Sequence, residues 1–187
     1  MKRVVLVHGW DGGPHLDWFP WLAGELKNRG YEVVAPQLPI PEEPRKERWV
    51  PALAEVVGTL DAETYFIGHS MGCQTILRYL ETLPEAVMVG GALFVAGFLK
   101  PLTNMEGPKE EEIARSWTDA PLDLAKVRSH LPKSTLVISD NDEWVPLENA
   151  DAFKNALGSE TTVEPSREHF NEDQEPAVLA AALKLLA

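Results

Sequence analysis

The sequence predicts an α/β fold, a three-layer α/β/α sandwich around a parallel sheet of about six strands. Three observations predict it. Short apolar runs alternate with amphipathic stretches six times along the 187 residues, the alternation that parallel strands with right-handed crossovers require. Several runs are continuous Val, Ile, Leu or Phe instead of alternating, as in strands covered on both faces. The length suits one domain with a sizeable core, read as residues 1–187.

In chain order, the strand-like runs are RVVLVH (3–8), YEVVA (31–35), TYFIG (64–68), GGALFVA (90–96), STLVIS (134–139) and TTVE (161–164). The helix-like stretches between and after them fall at 17–29, 45–60, 70–82, 122–130, 147–157 and 175–186. Two segments break the rhythm. APQLPIPEEP (35–44) holds four prolines, each without an amide donor, and reads as an irregular loop at a strand's C-terminal end. Residues 97–121 exceed what a crossover needs and mix Pro, Gly and acidic residues, so they read either as a lid or binding loop or as a solvated acidic connection.

Composition narrows the partners. The 29 acidic and 17 basic residues give a net charge of −12, a field that repels phosphate backbones and anionic lipid, so nucleic acid is not an expected partner. No apolar stretch approaches the roughly 18 residues of a membrane span, so no membrane insertion is expected. The four-residue run at 4–7 is shorter than a signal-peptide core. A cytoplasmic location is the expectation, and the single cysteine, Cys73, which excludes an internal disulfide, agrees with it.

Ser70 lies in Gly68-His69-Ser70-Met71-Gly72, a G-x-S-x-G match between a buried-type strand and a helix. Chance produces that pattern in roughly one chain in twenty of this length, so its placement matters more than its letters. Strand, tight turn and helix are the setting of a nucleophile elbow, where only small residues fit two positions either side of the serine. The competing role is an N-cap. A capping box would place Glu or Gln three residues on, where Cys73 stands, and a cap leaves both glycines unexplained.

A serine hydroxyl needs a base, and the base needs a carboxylate to orient it. On a sheet of this kind the order is Ser, acid, His, each in a loop at a strand's C-terminal end. STLVIS runs into DNDEWVP, and TTVEP into SREHFN, so the acid lies within 140–143 and the base is His169. Asp142 precedes Val145-Pro146, while Asp140 follows the strand directly and suits a turn brace. The oxyanion requires two donors, for which the Met71 amide and the Trp10 amide in the HGWDGGPH loop are the candidates. That loop lacks nucleotide-binding spacing. His8, Asp11, His15 and Asp17 have no spacing that enforces a metal site, so neither metal nor organic cofactor is expected. His8, Phe98, Trp117, Trp144 and Phe170 fall in or beside the loops of the active edge, either lining a substrate pocket or filling the core.

With these residues in place, the sequence resembles the α/β-hydrolase superfamily, and within it the small serine hydrolases of the retinoblastoma-binding-protein/YdeN type. VVLVHGW, DWFPWLAGEL, YFIGHSMGCQTILRYLE, FVAGF, DNDEWVP and EHFNE carry the likeness, with HSMGC and the WFPWL helix the most specific. The resemblance implies a minimal α/β-hydrolase fold without a cap domain, Ser70 as nucleophile, Asp142 as acid and His169 as base. It also implies a small-molecule acyl substrate, a carboxylic ester or related bond, with thioesterase or aminopeptidase chemistry available to the same triad. The rival class is an interaction module on a hydrolase fold, with a protein as partner. Many family members have glycine where this chain has Glu168.

Overall fold

The computed structural model describes residues 1–187. Six parallel strands form one sheet in the order β2-β1-β3-β4-β5-β6. They are β1 (Arg3–Val7), β2 (Glu32–Val34), β3 (Thr64–His69), β4 (Gly91–Val95), β5 (Ser134–Ser139) and β6 (Glu160–Glu164). Every residue of β3, β4 and β5, and every residue of β1 after Arg3, is buried, which is why these runs are so apolar. The edges differ. β2 is three residues long and β6 (ETTVE) carries a glutamate at each end, features that discourage pairing with another chain.

Seven helices cover the sheet: α1 (Phe19–Asn28), α2 (Lys46–Val57), α3 (Met71–Glu81), α4 (Pro108–Thr118), α5 (Leu124–His130), α6 (Asn149–Leu157) and α7 (Pro176–Leu186). α2, α3, α5 and α6 pack in succession, while α1 contacts β2 and α7 contacts β4 and β5. Right-handed crossovers put these two groups on opposite faces. The chain leaves β1 for β2, returns past β1 to β3 and then steps outward to β6, so the winding reverses at the β1–β3 pair. The crevice beyond the carboxyl ends of such a pair is where open α/β sheets bind ligands.

The six expected strands and six expected helices appear within three residues of the bounds read from the sequence. The long connection is corrected. Residues 108–118 form α4, with Ile113, Ala114 and Trp117 buried. The Trp117 indole donates to the Pro44 carbonyl at 3.0 Å and meets Trp49 edge to face. From α3, the Arg78 guanidinium donates to the carbonyls of Trp117, Ala120 and Pro121 around the helix's C-terminal end. Arg45 grips Glu112 through two bonds of 2.7 Å. Between Gly97 and Pro121, this helix is packed and pinned.

α3 is buried from Met71 through Leu80, and its first turn lies hard against the end of β1. A β carbon at Gly72 would sit 2.1 Å from the Val7 carbonyl oxygen and 2.6 Å from that of His8. Gly24 in α1 has no neighbour within 4 Å of such a carbon. Gly72→Ala should therefore destabilise the fold by about 3 kcal/mol or more. Gly24→Ala should stabilise it by roughly 0.5 to 1 kcal/mol. Urea unfolding of the two variants beside wild type measures both.

Candidate active site

Ser70 joins β3 to α3 with φ 51° and ψ −117°, a left-handed conformation that a non-glycine residue holds only under constraint. Its side chain caps no helix amide, which removes the N-cap role. The two glycines meet as the elbow requires: a β carbon at Gly68 would lie 3.0 Å from the Gly72 backbone and 2.9 Å from the Cys73 nitrogen. The Ser70 amide donates to Val95 at 2.9 Å, tying the turn to β4. Cys73, one turn along, is wholly buried, and that burial pushes its thiol pKa well up, leaving it inert.

Asp142 and His169 are in direct contact. The His169 Nδ1–H donates to Asp142 Oδ2 at 2.7 Å, and Asp142 Oδ1 accepts the amides of Trp144 at 2.9 Å and Val145 at 3.0 Å. The carboxylate is thus held by three donors, as a buried charge requires. With Nδ1 protonated toward Asp142, Nε2 presents a lone pair. The Trp144 ring stands edge-on to the imidazole at 5.0 Å. Ser70 and His169 occupy the same rim, both nearly buried at 7% and 9% exposure. The Ser70 hydroxyl makes no hydrogen bond to His169 in this structure; such bonds are often long before substrate binds.

The His169 turn is strained as well. Ser166, Glu168 and Phe170 all have positive φ, at 55°, 48° and 57°. Glu168 thus adopts the left-handed conformation that a glycine would take without strain. Its neighbours compensate. Three successive amides, of Ser166, Arg167 and Glu168, donate to the side chains of Asp140 (2.8 Å), Ser139 (3.0 Å) and Asn141 (2.9 Å). Two successive carbonyls, of His169 and Phe170, accept from ring N–H groups of His69 (2.7 Å) and Trp18 (2.9 Å). Arg167 donates to the buried Glu175 before α7 at 2.6 and 3.1 Å. Asp140 is the brace and Asp142 the imidazole's partner. The sequence reading missed Ser139, Asn141, Trp18 and the role of His69, whose partners in the turn lie 27 to 152 residues away in the chain.

On the opposite side, Gly9 abuts Ser70; a β carbon on Gly9 would lie 3.1 Å from Cβ of Ser70. The Trp10 amide has no acceptor within the protein, and the Met71 amide, first of α3, has none within its helix. The turn that carries Trp10 is fixed by Gly12 N–H to Gly9 O (3.1 Å) and Asp11 N–H to Pro41 O (2.9 Å).

Four of the five residues read as possible pocket lining belong elsewhere. His8 is buried, its Nδ1–H donates to Gly9 O at 2.8 Å, and its Nε2 accepts the Leu38 amide at 2.9 Å, so the ring has no free nitrogen for a substrate. Phe98, Trp117 and Phe170 are completely buried core residues. Only Trp144 remains partly exposed beside His169. No three His, Cys, Asp or Glu side chains converge as metal ligands. No helix is long and apolar enough to cross a membrane.

A parallel sheet whose winding reverses at a serine elbow, with a carboxylate–imidazole pair on the same rim, defines an α/β-hydrolase fold. The chain belongs to the serine hydrolase family, whose model matches residues 4–187, and is accordingly a hydrolase. It is 30% identical over 173 residues to YdeN of Bacillus subtilis (strain 168), covering 92% of this chain and 88% of that protein. It is 25% identical over 171 residues to the serine hydrolase RBBP9 of Rattus norvegicus, covering 90% and 87%. The crystal structure of the B. subtilis ydeN gene product superposes with a TM-score of 0.89 at 27% identity, over 99% of this chain and 98% of that one. Est1E from Butyrivibrio proteoclasticus, solved with ferulic acid bound, shares the fold at a TM-score of 0.77 and 15% identity, covering 100% and 88%.

His69 supplies a test of how the His169 turn is held. Burial, then the neighbouring His169, push its pKa down to about 3, so it stays a neutral donor to the His169 carbonyl. Between its unfolded value near 6.5 and about 3, the unfolded chain binds the extra proton, so this group's contribution falls as pH falls. The slope reaches at most about 1.4 kcal/mol per pH unit for one group. Urea midpoints should drop from pH 7 to pH 4, and drop less steeply in His69→Gln, which keeps an N–H donor without titrating.

Proposed function

We propose that this hydrolase cleaves carboxylic esters or related acyl bonds through a covalent acyl-enzyme, with Ser70 as nucleophile, His169 as general base and acid, and Asp142 as the group that orients the imidazole. The observation that carries the reading is the 2.7 Å Asp142–His169 contact on the same rim as the strained Ser70 elbow. Asp142 fixes the tautomer in which Nε2 can accept a proton.

The Ser70 oxygen attacks the substrate carbonyl carbon while its proton passes to His169 Nε2. The carbonyl electron pair moves onto oxygen, where the Trp10 and Met71 amides receive the charge; one such donor is worth about 3 to 4 kcal/mol in a transition state. The pair returns, the bond to the leaving alcohol breaks, and the imidazolium proton goes to the departing oxygen. Water then attacks the acyl-serine, giving its proton to His169. Collapse releases the carboxylic acid and returns a proton to Ser70. Supporting the electrostatics, His69 stays neutral beside the imidazolium that forms at His169.

A fluorophosphonate probe should label wild type and not Ser70→Ala; equal labelling of both removes Ser70 from this role. Steady-state ester hydrolysis should fall by about 10³- to 10⁴-fold in Asp142→Asn, whose imidazole loses its tautomer. Asp140→Asn, which keeps an acceptor for the Ser166 amide, should lose only a small part of that. The reverse ranking would exchange the two aspartates.

A further inference from the structure

Glu175, the residue before α7, has none of its surface exposed, yet its carboxylate caps no amide of that helix. Its two bonds converge on one oxygen: Arg167 Nη2 donates to Oε2 at 2.6 Å and Arg167 Nε at 3.1 Å. Oε1 is buried with no partner in the protein. A buried carboxylate with one oxygen unsatisfied costs the fold stability, so stability alone gives no reason for an acid here. What the acid holds is Arg167, two residues before His169. The Arg167 amide donates to Ser139 Oγ at 3.0 Å, while its side chain reaches the start of α7, which packs on β4 and β5. Arg167 is thus anchored at both its ends, between Ser166 and Glu168, whose φ values are both positive. Backbone strain of that kind persists only where the surroundings over-determine it.

We propose that Glu175 is a positioning residue for the reaction: through the Arg167 guanidinium, its carboxylate fixes the turn that presents the His169 imidazole. The inference rests on the serine-hydrolase mechanism proposed above. Two charged groups face Glu175. Burial raises its pKa above the ordinary 4.5; Arg167 opposes that rise and the neighbouring charge of Glu172 adds to it. Protonation removes the charge that grips Arg167, whose half-open side chain is free to turn into water, and the turn loosens. The fold responds with the opposite sign. The folded chain holds this proton more tightly than the unfolded one, so this group's contribution to stability rises as pH falls, while its grip on the turn is lost. A residue that served the fold alone would not set stability against activity.

The test is Glu175→Gln, which keeps the size of the side chain and removes its charge, assayed on p-nitrophenyl acetate. At pH 8 its kcat should fall about tenfold with KM nearly unchanged, as misplacement of a catalytic group predicts. Its urea midpoint at pH 7 should be no lower than that of wild type. In wild type, log kcat against pH should steepen toward a slope of two in acid as His169 and Glu175 each take up a proton; in Glu175→Gln the slope should stay at one. Arg167→Met breaks the same link from its partly exposed end and should match the variant in kcat and slope, and combining the two should cost little more than either alone. An unchanged kcat in Glu175→Gln, or a loss of kcat accompanied by a lowered urea midpoint and an unchanged acid slope, overturns the positioning role alone, provided that a fluorophosphonate labels Ser70 in wild type. Absence of that labelling overturns the serine mechanism and this role with it.

Discussion

The contact between the first turn of α3 and the end of β1 governs the site. Gly72 brings helix backbone against the Val7 and His8 carbonyls at a separation that admits no β carbon. Ser70 is thereby carried over the sheet's edge next to Gly9, and amides from two distant stretches, Trp10 and Met71, come to adjoining turns. The strained φ of Ser70 persists because everything near it is already committed. α3 is buried along nearly its whole length, and the Ser70 amide is tied to Val95. This half of the site is set by steric exclusion, which neither pH nor salt weakens.

The other half is set by hydrogen bonds. The His169 turn contains three left-handed residues, yet five of its backbone groups find partners in β3, in β5 and the loop after it, and at the start of α1. Every one of those partners is a side chain. The turn is consequently exact only while those side chains keep their protonation and rotamers. That is the reason a histidine whose burial keeps it neutral suits the position under His169. A cationic ring there would place like charges 4.9 Å apart, centroid to centroid, whenever His169 took up a proton.

What could be read from the chain follows this division. The parallel sheet, its six strands, six of the seven helices, the elbow glycines and the loop positions of Ser70, Asp142 and His169 depend on apolar periodicity and on local turn sterics, both of which are written in neighbouring residues. The Ser139–Asn141 cradle and the roles of His69 and Trp18 depend on partners 26 to 152 residues away, which no local pattern announces. α4 was hidden for another reason. Its buried residues, Ile113, Ala114 and Trp117, form a narrow stripe in a charged segment, although Pro108 at its first turn with Glu110 and Glu111 behind it is a helix-start signal. The aromatic residues near the rim were ambiguous because burial is decided by tertiary packing. Phe98 and Phe170 turned inward, and Trp144 did not.

The long segment after β4 braces the site from outside it. Its first residues bind the loop that holds Asp142: Thr103 donates from its amide to Trp144 O at 3.0 Å and from its hydroxyl to Glu143 O at 2.7 Å. Asn104 adds a bond to Glu143 O at 2.8 Å. The side chain of Asn149, which opens α6, accepts the amides of Leu99 and Lys100, and Gln74 from α3 donates to Phe98 O. Its far end is clasped by Arg78, again from α3. Asp142 uses the amides of Trp144 and Val145, while the carbonyls of Glu143 and Trp144 are held from this segment. Rotating the carboxylate away from His169 would therefore break bonds on both sides of its turn. The segment acts as a strut between α3, which begins beside Ser70, and the loop of Asp142, so the two ends of the candidate triad are braced through a part of the chain that contributes no group to it.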